Sequence, residues 1–225
     1  MKADAVVLGT EYENKAAKDL VIDFARDPTK AYAFNIASMA FNNHFFFRGI
    51  NADPQVDSQP STAVQMQINK DFSSMETLRE TFLATAEVMF GPGFVWLVQT
   101  NDTSIGSLRI LPTYLAGSPL SGAHYRRQSH DLNTHNADTH QALNKVGAFG
   151  HAAKQSNQPK KPLGGVDVVP LLCVNTWEHV WLQDYGVRGK RKFLEAWWNR
   201  IDWDIVAQNA TVSPQAQGKQ KFFYG

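Results

Sequence analysis

Near the start of the chain, Ala16, Ala17, Leu20, Val21 and Phe24 fall at i, i+1, i+4, i+5 and i+8, which predicts a helix over about 13–26. Asp27-Pro28 ends it, because the residue before proline disfavours helix while proline itself starts a new one well. The next helix is expected over about 28–47. Its apolar positions Tyr32, Ile36, Met39, Phe41, Phe45 and Phe46 cover enough of the surface to predict burial on more than one side, and Gly49 can end it. Residues 51–70 are polar, contain Pro54 and Pro60, and read as a connection. A third helix follows Asp71-Phe72-Ser73-Ser74 and runs to about Met89, with Ser73 or Ser74 as N-cap and Phe72, Met75, Leu78, Phe82 and Leu83 as its stripe.

After Gly91-Pro92-Gly93 the period changes. Phe94 to Gln99 and Gly106 to Leu111 predict two strands joined by a turn at Asn101-Asp102, and Val166 to Val174 predicts a third. Between them, residues 116–165 are rich in Gly, Ser, Asn, Gln, His and Pro, a connection far longer than compact domains use without a functional reason. The chain is helical again from Trp177. A final helix after Lys190 carries Phe193, Leu194, Trp197, Trp198, Ile201 and Trp203. Helices followed by a three-stranded antiparallel meander flanked by helices define an α+β class. The expected divisions are a helical region over 1–90, an α/β region over 91–207 with its insertion, and a polar tail over 208–225.

The chain has 225 residues, 43% of them hydrophobic, enough to bury a core without disulfide or structural metal. A net charge of +1 leaves nucleic-acid binding to local patches. Cys173 is the single cysteine and sits in an apolar run, which reads as a small buried thiol. No apolar stretch reaches the roughly 18 residues of a membrane span. The first fifteen residues carry neither a signal-peptide apolar region nor transit-peptide character, so they do not indicate a compartment.

Four blocks, in order and spacing, resemble the iron/manganese superoxide dismutase family. Ala40-Phe41-Asn42-Asn43-His44-Phe45-Phe46-Phe47 is similar to its Asn-His-x-x-Phe-Trp segment, and Phe90-Gly91-Pro92-Gly93-Phe94-Val95-Trp96-Leu97 to its Phe-Gly-Ser-Gly-Trp-x-Trp-Leu. Pro170 to His179 is similar to Pro-Leu-Leu-x-x-Asp-x-Trp-Glu-His, and Phe193 to Trp203 to the closing helix. The resemblance implies the α+β fold above, with an N-terminal helical hairpin layer shortened at its start.

In that family three histidines and one aspartate hold a redox metal. The resemblance places two of those positions at His44 and His179, and puts neutral Asn175 where the anionic ligand should be. No histidine precedes His44 to supply the first ligand, and the family's gating tyrosine belongs to the same missing helix. The two places from which the family's glutamine hydrogen-bonds metal-bound solvent are Ala40 and the neighbourhood of Gly117. Two neutral ligands are too few to retain a redox ion, so no catalytic residue, metal or cofactor is expected. His44 then reads as a satisfied core histidine. His124, His130, His135, His140 and His151 lack zinc-site spacing and read as loop residues.

The resemblance extends to the inactive dismutase-like components of the mitochondrial small ribosomal subunit, in which two different copies pair. It implies a structural protein of the mitochondrial matrix whose partners are a paralogous dismutase-like subunit, other mitochondrial ribosomal proteins and ribosomal RNA, with no membrane. Glu178 and His179 keep a pair that crosses the family's two-fold axis, while Leu182 replaces an interface aromatic, which favours a heterodimer. The RNA-binding candidates are Arg126, Arg127, Lys160, Lys161, Arg188, Lys190, Arg191 and Lys192, each of which also fits a solvated surface. Lys219 and Lys221 beside Phe222, Phe223 and Tyr224 form a further basic–aromatic cluster. The alternative is an active dismutase or another redox metalloenzyme.

Overall fold

The computed structural model describes residues 6–25, 27–53, 58–100, 106–120 and 168–210. Residues 121–165 of the predicted long connection, the turn at Asn101-Asp102 and the tail from residue 211 lie outside these residues. So do the candidates Arg126, Arg127, Lys160 and Lys161.

Two layers emerge from the hydrophobic pattern. Helix α1 (Ala17–Phe24) buries Leu20, Val21 and Phe24, the stripe its spacing predicts. A 3-10 turn over Pro28–Lys30 follows, in which the Asp27 side chain accepts from the Thr29 amide. Helix α2 (Ala31–Arg48) then runs between two apolar clusters. Phe34 and Ala37 join α1 in the smaller cluster, whereas Phe46, with half-buried Met39 and Phe45, meets the larger one. Burial on two sides is therefore as expected, but Tyr32 faces solvent.

Residues 51–70 are not simply a connection. Helix α3 (Thr62–Phe72) occupies part of them, and its Ser61 N-cap accepts from the Val64 amide. Its buried stripe is Ala63, Val64, Gln67 and Ile68, so one polar side chain interrupts the apolar signal. Gln67 Nε2 donates to Asp71 Oδ2 at 2.6 Å, and that oxygen also accepts from the Leu108 amide at 2.7 Å. These bonds give the buried amide partners and tie α3 to the sheet. Helix α4 (Met75–Glu87) starts at Ser74, whose hydroxyl accepts from the Thr77 amide, and buries Leu78, Phe82, Leu83 and Ala86.

The sheet has strand order β2-β1-β3, with both pairings antiparallel. Strand β1 (Gly93–Thr100) is central and buried along its whole length, which explains its continuous apolar run. Strands β2 (Ser107–Tyr114) and β3 (Val168–Asn175) flank it, and β2 runs three residues past its predicted end. Helices α5 (Glu178–Tyr185), α6 (Lys190–Trp198) and α7 (Trp203–Asn209) complete the described residues. The predicted final helix is thus two. Ile201 leaves the helix to bridge Ile50, and Asp202 restarts it by accepting from the Asp204 and Ile205 amides. Trp96, Trp197 and Trp203 are buried in the larger cluster as predicted; Trp177 is only half-buried, because it lies at the α5 N-cap beyond the sheet.

Candidate functional site

The family-like blocks converge at one end of the sheet, where β1 begins and both β2 and β3 end. Gly93 pairs with Tyr114, and Phe94 with both Thr113 and Asn175. Close approach there requires glycine at 93: a Cβ would lie 2.2 Å from the Thr113 carbonyl oxygen. The Gly93 carbonyl accepts from both the amide (2.9 Å) and the hydroxyl (3.0 Å) of Thr176, so β3 is pinned as it turns toward α5.

Behind this corner α2 supplies a row of polar groups. Ser38 Oγ donates to the Ala116 carbonyl, and Asn42 Nδ2 donates to that of Gly117 at 2.9 Å. The same Gly117 oxygen accepts from Thr113 Oγ1 at 2.9 Å, and Thr113 Oγ1 accepts from Trp96 Nε1 at 2.9 Å. Where the resemblance would put a glutamine near Gly117, the fold has a closed seam of backbone carbonyls and small side chains. Asn42 Oδ1 and Trp177 Nε1 are buried without a hydrogen-bond partner.

The centre of the site corrects the sequence reading by one residue. Asn175, fully buried, donates through Nδ2 to Asn43 Oδ1 at 2.9 Å. Asn175 Oδ1 accepts from the Trp177 amide at 2.9 Å, and Asn43 Nδ2 donates to the Met39 carbonyl at 2.9 Å. The α2 residue facing the old aspartate position is therefore Asn43. His44 is exposed, and it is not the satisfied core histidine expected. Successive helix positions differ by about 100°, so a helix that turns Asn43 inward turns His44 away.

His179 is exposed too, its ring 5.8 Å from that of Trp177. Glu178 is exposed and within Coulombic reach of Lys190, and Leu182 is 38% exposed. Val187, just past the end of α5, is 83% exposed, and Val88 and Phe90 after α4 also leave large apolar surface in water.

The family's metal does not fit these residues. Among the described residues no group of three or more His, Cys, Asp or Glu could hold a metal ion. The buried corner instead offers two neutral amides already hydrogen-bonded to each other, and nothing anionic to balance an oxidised ion. Cys173 is buried, and desolvation pushes its thiol well above the usual range, which keeps it protonated and inert.

The basic candidates divide in the same way. Arg191 donates to Glu80 at 2.7 Å and to Glu195 at 2.9 Å and lies 3.5 Å from Glu87, so it clasps α6 to α4. Lys190 donates to the Glu87 carbonyl at 3.2 Å, and burial lowers its ammonium below the ordinary lysine range. Arg188 and Lys192 face solvent.

A family model described as iron/manganese superoxide dismutases, C-terminal domain, matches residues 60–129 and 132–209. The chain is similar to small ribosomal subunit protein mS43 of Schizosaccharomyces pombe, at 27% identity over 92% of this chain and 71% of that protein. Its similarity to small ribosomal subunit protein mS42 of the same organism is 29% over 85% of this chain and 72% of that protein. An iron superoxide dismutase of Synechocystis is 26% identical over 92% of this chain and 79% of its own length.

Proposed function

The chain belongs to the iron/manganese superoxide dismutase family, and from that membership we propose that it is a non-catalytic structural component of the mitochondrial small ribosomal subunit. The observation that carries the proposal is the Asn43–Asn175 hydrogen bond, which fills the corner where the family's chemistry requires an anion and an imidazole. The similarity to two small ribosomal subunit proteins supports the assembly role. In this reading the protein works in the mitochondrial matrix, carries no cofactor, and pairs with a second dismutase-like chain.

Exposed Glu178, His179 and Leu182, with Val187 just past the end of α5, supply a face on which that chain would sit. Among the described residues neither side chain is buried, so a partner surface is the simplest reason for keeping the two together. Of the RNA-binding candidates, Arg188 and Lys192 are the described ones that face solvent and could meet ribosomal RNA. The similarity to an iron superoxide dismutase is the support for a redox alternative, and the donor set opposes it.

Sedimentation of mitochondrial lysate tests the proposal. The chain is expected to migrate with the small ribosomal subunit and to release a dismutase-like partner when the subunit is dissociated. Migration as a free metal-loaded protein with dismutase activity would overturn it.

A further inference from the structure

We infer that the Asn43–Asn175 amide bridge is a metal-independent brace that has taken over the position of the family's ion, locking α2 onto the end of β3. The inference rests on the non-catalytic reading above. It goes further in assigning the replacement to a specific pair, and in denying His44 any part in it.

The bridge is a directional relay with both ends on backbone. The Trp177 amide donates to Asn175 Oδ1, Asn175 Nδ2 donates to Asn43 Oδ1, and Asn43 Nδ2 donates to the Met39 carbonyl. Each asparagine therefore uses its oxygen as acceptor and its nitrogen as donor, and the order cannot be reversed at one member alone. If Asn43 flipped, its oxygen would face the Met39 carbonyl. A cation entering here would have to displace a donor from each amide oxygen and would gain no negative charge in return. The relay spans 132 positions of sequence between Asn43 and Asn175, so it joins the helical layer to the sheet much as a shared ion would.

The relay also sets which substitutions the corner tolerates. Aspartate at 175 would place a carboxylate oxygen against Asn43 Oδ1, acceptor against acceptor, in a position with no solvent access. Restoring the family's anionic ligand by itself is thus destabilising. His44 is exposed and outside the relay, so replacing it leaves the brace intact.

Urea unfolding and manganese content of the full chain test this with three variants. Asn43→Ala strands the buried Asn175 donor and should lower the folding equilibrium constant about tenfold or more. Asn175→Asp should fall at least as far, and His44→Ala should stay within about twofold of the parent. Parent and His44→Ala should both remain free of stoichiometric metal after exposure to Mn(II). If Asn43→Ala does not fold at all, slow solvent exchange of the Asn175 side-chain amide protons in the parent protein still reports the bridge.

Rapid exchange of those protons would overturn the inference. So would an Asn43→Ala variant as stable as the parent, or one Mn(II) per chain that His44→Ala removes. Sedimentation of the parent chain separates the two readings. Co-migration with the subunit despite bound Mn(II) overturns the brace alone; free migration with an intact relay overturns the ribosomal reading alone.

Discussion

At the scale of single residues, the most informative positions are those whose neighbours in sequence give no warning. Asn43 and His44 are adjacent on one helix, and composition favours the histidine as the residue with chemistry. Which of them faces β3 depends on the rotation of α2 about its axis, and that is set by Phe34, Ala37 and Phe46 packing into two clusters. Leu115 is a second such position, with φ at 54° where a leucine is strained. Its amide donates to the Pro92 carbonyl at 2.9 Å, and its side chain is 59% exposed. Replacing it with glycine loses little burial and removes a strain of about 1–2 kcal/mol, less the flexibility glycine adds to the unfolded chain. Leu115→Gly is therefore expected to raise stability by up to about 1 kcal/mol, read from the urea midpoint. Phe90 and Tyr114 lie exposed at the same end of the sheet.

At the scale of elements, the α4–α6 clasp shows a basic cluster put to structural use. Arg191 beside Glu80 holds that carboxyl below its ordinary value of 4.5. A carboxylate whose pKa is depressed on folding contributes stability that is fully present above its unfolded value and is lost as pH falls through the folded one. The urea midpoint should thus decline more steeply below about pH 5 in the parent than in Glu80→Gln, where the charge is absent throughout. Because Glu80 is exposed, the difference should be small and should shrink in about 1 M salt. The run Arg188, Lys190, Arg191, Lys192 looks uniform in sequence, yet its four members differ in surroundings. Helix α3 was hidden for a related reason: Gln67 interrupts its stripe, and only Asp71 and the β2 backbone beside it make that burial tolerable.

At the scale of the whole molecule, the larger core joins residues from every described helix except α1 with all three strands. The side chains of Glu178 and His179 themselves lie outside that core. Glu178→Ala with His179→Ala should leave the urea midpoint within about 0.5 kcal/mol of the parent, since both side chains are exposed. On the proposed pairing, association with a dismutase-like partner should nevertheless fall, as measured by pull-down; undiminished association would remove the interface role. The α+β class, the three strands and most helices follow from the sequence alone, because alternation, helical period and the Gly-Pro stops are local properties. The neutral Asn175 was equally legible, since a substituted ligand shows in the residue type itself. Helix α3, the inward turn to Asn43, the split at Ile201, and the engagement of Lys190 and Arg191 while Arg188 and Lys192 stay exposed were decided only in three dimensions. Each depends on which side chain meets a residue distant in sequence, and a period read along one element does not carry the rotation of that element against its neighbours.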